Sequence, residues 1–362
     1  MKEIQQSGHR TPQELGFHMP AEWERHSRLW LSWPYDTTTF PQGVAKAEET
    51  YVQIITLVHF GEDVNLFVKN QRMEEKATCL LKENGVDLRK IHFFRFNYAD
   101  VWFRDYGPTF VRNQSQQLGM VHWVFNSWGN KYSGLLRDGK IPQLIQKKMQ
   151  LTSFEPGIVL EGGSIDVNGE GTVLTTEQCL LNKNRNPALG RSEIENYLKG
   201  YLGASNVIWL KNGIAGDDTD GHIDDLARFV NSSTVACVCE DDKTDENFAV
   251  LKENFEILKT AKDQNGRCLN IVKLPTPGYV GEFGKRLPAS YANFYISNDV
   301  VLVPVFRHKN DHVALATIQG LFQKRKVVGI DCVDFVYGLG TIHCVTQQQP
   351  AAESLSQDFV YR

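Results

Sequence analysis

The sequence predicts an α/β protein assembled from five repeats of one small strand-and-helix unit. Three observations carry that prediction. Apolar runs of strand length recur along the chain, stretches of helical period separate them, and both keep one order of strand, turn, strand, helix, strand. The N-terminal region holds the loosest copy: LWLSWP, a helix from Ala45 to Phe60, VNLFVKN, a helix from Gln71 to Glu83, and IHFFRFN. Next come PTFVRNQSQQ and LGMVHWVFN with a helix near Ile141 to Gln150. GSIDVNG and GTVLTTE follow, then a short helix near Glu193 to Leu202 and NVIWLK. LARFVNSS and TVACVCE lead into a helix from Glu246 to Lys262 and LNIVKLP. The final copy is ANFYISN, VVLVPVF, a helix from His312 to Arg325, and KVVGIDC. Such units have no individually buried face and must pack on one another. No low-complexity linker, charge block or Pro/Gly-rich spacer divides them, so residues 1–362 are expected to form a single domain.

Composition narrows the function. With 39 basic and 43 acidic residues and a net charge of -4, the chain lacks the global basic field that gathers phosphates, so no nucleic-acid partner is expected. A small cation would not be repelled. The longest apolar run, Val300 to Phe306, falls far short of the ~20 residues that span a bilayer. The start, MKEIQQSGHRTPQEL, is polar and lacks a secretory stretch, so no membrane association is expected. Seven cysteines at irregular positions leave one unpaired under any disulfide scheme, which points to a reducing compartment, the cytoplasm.

The polar residues fall into register once the asparagine near each hairpin turn serves as a ruler. Asp105 lies eight residues before Asn113, Glu161 seven before Asn168, and Asp224 seven before Asn231. If the repeats surround an axis, these carboxylates converge in one cavity. Taken singly, each would read as a solvated loop acid.

Four segments invite a chemical reading: VWFRDYGP (101–108), LEGGSI (160–165), GDDTDGHIDD (216–225) and GLGTIHCVTQQQP (338–350). Together they offer a thiol, an imidazole and several carboxylates, with no lysine or arginine in the last three. Carboxylates match the guanidinium fork through paired, charge-assisted hydrogen bonds. Asp105 and Asp224 could hold opposite edges of such a plane and leave its face open. The central carbon is a poor electrophile and calls for a strong nucleophile, which a thiolate supplies. Cys344 is the candidate. A lone cysteine is most often a core residue, but this one follows two glycines and sits between His343 and a polar TQQQ run. His222 could supply the proton that departing ammonia needs and later activate water, with Glu161 orienting the ring and stabilising its imidazolium. His222 and Asp224, at alternate positions leading into LARFV, could share one face of an incipient strand. Asp217, Asp218, Asp220 and Asp225 read mostly as loop solvation and capping.

Rival site types fit poorly. Aligning Asp218, Asp220 and Gly221 with a calcium loop puts Gly216 and Ala227 where ligands are required. Cys237 and Cys239 have no second Cys/His pair at zinc spacing. The glycines of LEGGSI and GLGTIH form no phosphate-cradling fingerprint. No metal and no cofactor are expected.

The ordered set PAEWERHSRLWLSWP, VWFRDYGP, LEGGSI, TEQCLLNKNRNP, GDDTDGHIDDLARF, LPASYANFYISN and GLGTIHCVTQQQP resembles the agmatine deiminases of the guanidino-modifying pentein superfamily. The resemblance spans nearly the whole chain. It implies a five-fold pseudosymmetric α/β propeller of ββαβ-type units around a central substrate channel, forming one catalytic domain. It implies a hydrolase acting on linear amidines, which converts agmatine to N-carbamoylputrescine and ammonia through a covalent cysteine-amidino intermediate. Carried over by motif, Cys344 is the nucleophile and His222 the acid/base; Asp105 and Asp224 grip the guanidinium, and Glu161 supports the histidine. Trp102 looks like the family's pocket-lining aromatic and reads equally well as a buried anchor. Ala99 stands before Asp100 in YADVWFRD where relatives often carry a polar residue, a difference in the pocket wall.

The nearest rivals share the chemistry. A peptidyl-arginine enzyme of bacterial type is expected to carry a signal peptide and an extra domain, and neither is visible. A free-arginine enzyme needs a cationic clamp for the substrate carboxylate, and the motifs supply none. An amidinotransferase is a third rival. A noncatalytic polyamine binder would need only the acids, and a papain-like protease would need an oxyanion-hole segment. The oligomeric state is not legible in the sequence, which is compatible with a homo-oligomer.

Overall fold

A computed structural model describes residues 10–282 and 284–352. Among these residues the strands form five separate sheets of three or four strands each, and one two-stranded hairpin, Gly281–Glu282 with Lys285–Arg286. No sheet closes on itself into a barrel.

The sheets repeat one construction. Ala227–Asn231 pairs antiparallel with Thr234–Cys239, which pairs in parallel with Asn270–Pro275 after the helix Phe248–Thr260. Parallel neighbours cannot be joined by a tight turn, so each unit needs a crossover element at this point. Tyr295–Ile296, Val300–Val305, Asp311–Leu321 and Lys326–Asp331 repeat the order, as do Asp166–Val167, Thr172–Thr176, Arg191–Leu202 and Asn206–Leu210. In a further copy, Thr109–Asn113 and Leu118–Val121 are followed by Ile141–Met149 and Thr152–Phe154, and Phe17–His18 is added at the outer edge.

The N-terminal unit departs from this order. His26–Ser32, Asp63–Val68 and Ile91–Arg95 are mutually parallel and joined by the helices Val44–Val58 and Gln71–Glu83. The second helix begins where the sequence places it, because the Asn70 side chain accepts the Met73 amide at 3.0 Å. The missing hairpin partner comes from the other end of the chain. Gln347–Pro350 pairs antiparallel with His26–Ser32, Gln347 opposite Trp30. This strand reads as a polar run, yet all four residues are buried. Each glutamine finds a partner: Gln349 Oε1 accepts from Trp30 Nε1 at 3.0 Å, Gln348 Oε1 from Arg104 Nη1 at 2.8 Å, and Gln347 Nε2 donates to the Pro108 carbonyl at 3.0 Å.

Short helical turns stand just ahead of four hairpin or closing strands: Phe103–Tyr106, Gly162–Ser164, Ile223–Asp225 and Ile342–Val345. The first three pack consecutively, and Ile342–Val345 packs on Phe103–Tyr106. Residues 223–225 are therefore a 3-10 turn and not the incipient strand expected from alternation. Strand pairing begins only at Ala227, because the turn first carries Asp224 inward.

No helix among the described residues is long and apolar enough to cross a membrane. The leading part of the polar N-terminal segment, residues 1–9, lies outside the described residues.

Candidate active site

Each short turn delivers one or two polar side chains. Asp105 sits within Phe103–Tyr106, Glu161 immediately precedes Gly162–Ser164, His222 and Asp224 flank the start of Ile223–Asp225, and Cys344 lies within Ile342–Val345. Asp105, Glu161, His222 and Asp224 are all at most 5% exposed, so these carboxylates and this ring are in a nearly dry environment.

Gly163 shows how closely the groups approach. A Cβ added there would lie 2.5 Å from His222 Nδ1, 2.9 Å from Asp105 Oδ1 and 3.1 Å from Asp224 Oδ2. Only glycine leaves that point empty. The Gly163 amide donates to Asp105 Oδ1 at 3.0 Å, and Trp128 Nε1 donates to Oδ2 at 2.9 Å, which fixes the carboxylate plane. His222 Nδ1 stands 3.7 Å from Asp105 Oδ1. The loop ahead of the ring is tied down by Asp217, which accepts from the amides of Thr219, Gly221 and His222 at 2.7, 2.8 and 3.2 Å.

The sulfur lies beside the acids. Cys344 Sγ is 4.0 Å from Asp224 Oδ2 and is bracketed by the Asn293 amide, with Nδ2 at 3.2 Å and Oδ1 at 3.4 Å. Asn293 Oδ1 also accepts from Thr341 Oγ1 at 2.6 Å and from the His343 amide at 3.0 Å, locking the turn that carries the cysteine. Gly340 is needed here too, since a Cβ would meet the Trp102 ring at 2.5 Å. Trp102, 6% exposed and bonded through Nε1 to Asp100 Oδ2 at 3.1 Å, is both buried anchor and cavity wall. The cavity measures about 490 Å³ and is lined by Trp102, Asp105, Trp128, Tyr132 and Cys344 among others. Its wall also holds Lys131, whose Nζ is paired with Asp220 Oδ1 at 2.9 Å.

Two expectations need correction. Glu161 makes no hydrogen bond to His222; its Oε1 accepts from Arg185 Nε at 2.7 Å, while Oε2 is buried without a partner. Arg185, from a segment read only as a motif match, takes the carboxylate because a buried acid needs a fixed counter-charge. Asp225 is not a solvated loop acid. It is 6% exposed, and burial, then the charges of Asp224, Asp217 and Asp105, push its carboxyl well up.

Electrostatics separate the groups. Burial, followed by the charges of Asp224 and Glu161, raises the Asp105 carboxyl well above its ordinary range. Burial also opposes charge on Asp224, but the hydrogen bond and charge of His343 outweigh it and hold that carboxyl low. Burial brings the His222 imidazole down to about 3. Burial and then the charges of Asp224, Asp225 and Asp105 push the Cys344 thiol well up. Burial thus favours a neutral ring and a protonated thiol beside these acids.

Sequence reasoning missed His343, Glu22, Asn293 and Arg185 as parts of this assembly. His343 Nδ1 is 2.7 Å from Asp224 Oδ2 and Nε2 is 2.9 Å from Glu22 Oε2, yet next to a cysteine it carries no signal of its own. As potential metal ligands among the described residues, Glu161, Cys179 and His222 bring one atom each within 4.8 Å of the others. Arg185 already occupies one Glu161 oxygen, so a cation there would compete with it.

Residues 18–350 match a family model described as Porphyromonas-type peptidyl-arginine deiminase. The agmatine deiminase of Medicago truncatula is 38% identical over 374 residues, covering 94% of this chain and 98% of its own. The solved agmatine deiminase of Enterococcus faecalis superposes with a TM-score of 0.88 at 33% identity, over 95% of this chain and 98% of that one. A C. jejuni agmatine deiminase with substrate bound superposes with a TM-score of 0.83 at 32% identity, over 93% and 97%. The chain belongs to the Porphyromonas-type peptidyl-arginine deiminase family and, within the guanidino-modifying pentein superfamily, to the agmatine deiminases.

Proposed function

We propose that this chain hydrolyses agmatine to N-carbamoylputrescine and ammonia, with Cys344 forming a covalent amidino intermediate. The observation that carries the reading is the convergence of Asp105, Asp224 and His222 around Gly163, beside a cysteine on the wall of the same region. Kinship with agmatine deiminases supports the substrate. The lysine on the cavity wall is neutralised by Asp220, which disfavours a substrate carboxylate and so favours agmatine over free arginine.

A guanidinium held between Asp105 and Asp224 supplies the counter-charge that the buried acids lack. Asp224 Oδ1, buried and without a hydrogen-bond partner, is available to one edge. With the acids neutralised, the thiol gives its proton to His222 as sulfur attacks the central carbon. The imidazolium that forms lies near Asp105 and within 4.8 Å of a Glu161 carboxylate oxygen. It returns the proton to the departing nitrogen, ammonia leaves, and the amidino group remains on sulfur. Water then attacks the same carbon and gives a proton to His222. Collapse of that adduct breaks the C–S bond, returns the His222 proton to sulfur and releases the ureido product, its hydroxyl proton passing to the departed ammonia to give ammonium. Trp102 flanks the alkyl chain in this reading, and no cofactor takes part.

The same reading extends to architecture. Five sheets of one construction and the consecutive packing of the short turns support a five-fold pseudosymmetric propeller around a central channel, forming one catalytic domain. Cytoplasmic residence accords with the composition.

Three outcomes are expected. Ammonia and ureido product, measured in parallel on agmatine, free arginine and an arginine peptide, should appear fastest from agmatine; a preference for arginine or the peptide overturns the substrate assignment alone. Because burial and the neighbouring acids favour a proton on Asp105, binding of the cation should expel it and tighten as pH rises. Calorimetry of agmatine binding to Cys344→Ser in two buffers of different ionisation heat should show net proton release, lost in Cys344→Ser/Asp105→Asn; proton uptake would contradict the charge arrangement. Gly163→Ala should lower kcat/KM by about 10²-fold, as its methyl group displaces the ring and carboxylate, with the urea midpoint little changed. Full activity in that variant would mean the groups do not work at this spacing.

A further inference from the structure

His343 is buried at 2% exposure between two carboxylates that lie far apart in the chain, Glu22 and Asp224. Its Nδ1 lies 2.7 Å from Asp224 Oδ2 and its Nε2 lies 2.9 Å from Glu22 Oε2. A neutral imidazole donates from one nitrogen only, so with both carboxylates ionised the two contacts require both nitrogens to be protonated. The acceptor on the far side is fixed in turn. Glu22 Oε2 also faces Arg228 Nη2 at 2.8 Å and Arg104 Nη2 at 3.6 Å, and Oε1 accepts the Ile296 amide at 2.8 Å. Arg228 is fully buried and clamped by Asp166 Oδ1 at 3.0 Å and the Phe294 carbonyl at 2.8 Å. The His343 backbone is held as well, its amide by Asn293 Oδ1 at 3.0 Å and its carbonyl by Arg104 Nε at 3.3 Å.

Like charges crowd the other side. The charge of Asp224 opposes ionisation of Asp105 and of Asp225, and Cys344 follows His343 in the chain. Two neighbouring buried acids do not both ionise unaided. Something must decide which one stays charged. We infer that His343, held as an imidazolium between Glu22 and Asp224, is the positioning residue that keeps Asp224 ionised and its Oδ1 free for the substrate guanidinium. The assignment rests on the proposed deiminase reading for its substrate, but not for the charge on the ring. His343 touches no reacting atom. Its cation faces Asp224 and Glu22, with Arg104 and Arg228 beyond Glu22 and with Asp105, Asp225 and Cys344 beyond Asp224.

Two measurements separate the parts. In wild-type protein labelled with 15N-histidine, without substrate, the His343 resonance should show both ring nitrogens protonated near neutral pH, assigned by its loss in His343→Asn. A neutral ring overturns the inference whatever the enzyme does. In steady-state kinetics on agmatine, His343→Asn, which keeps a donor toward Asp224 without the charge, should raise KM roughly tenfold or more. The acidic limb of kcat/KM should also move to higher pH by about one unit. A purely structural role would lower the unfolding midpoint and the active fraction while leaving KM and that limb in place, and this result counts against the inference. Wild-type protein inert toward agmatine would instead sink the deiminase reading and leave the nitrogen resonances to decide the charge.

Discussion

Buried carboxyl groups without an equal number of buried cations are the constraint on which the rest of this structure depends. Asp105, Glu161, Asp224 and Asp225 are each at most 6% exposed and lie around one small region. Such groups are expensive to remove from water unless paired and hydrogen-bonded. The fold meets part of the demand with fixed partners: Arg185 behind Glu161, His343 behind Asp224, and the Gly163 and Trp128 N–H groups on Asp105. The remainder is a standing preference for a cation that arrives from outside. In the proposed reaction a planar guanidinium satisfies it, and the same charge that completes the electrostatics releases the thiol beside it.

The backbone serves this arrangement by repetition. Four of the five units place a short helical turn ahead of a strand, and these turns pack on one another at the site. That geometry brings together side chains more than a hundred residues apart, such as Cys344 and Asp224. Pairing of Gln347–Pro350 with His26–Ser32 gives the N-terminal unit its missing strand and anchors the cysteine turn three residues upstream. Arg104, one residue before Asp105, joins Gln348 to the His343 carbonyl and so couples that closure to the site. Stability and chemistry thus share the same buried contacts.

Much of this was legible in the sequence because it follows from local period. The helix Gln71–Glu83 has its expected bounds, and the strand, turn, strand, helix, strand order recurs in the four units after the first. The matching offsets of Asp105, Glu161 and Asp224 from their hairpin asparagines also reflect a structural equivalence, since each sits in or beside a turn that precedes a strand. What escaped reading depends on distant partners. A run of three glutamines is a buried strand only because Trp30, Arg104 and Pro108 meet its side chains. Glu161 turns toward Arg185, and Asp225 is buried, for reasons that lie elsewhere in the chain. His343, Asn293 and Glu22 carry no spacing signal, because their roles arise from contacts across 119, 51 and 321 positions.

The central claim is that sulfur, imidazole and acids act on one flat cation, so the most direct measurement is of the bond that sulfur would form. Acid-quenched turnover of agmatine, followed by mass spectrometry of the Cys344 peptide, should reveal an adduct with the mass of agmatine less ammonia. It should be absent in Cys344→Ser, and that variant should be inert. Undiminished agmatine hydrolysis by Cys344→Ser, or an adduct carried on a different cysteine, would contradict the account.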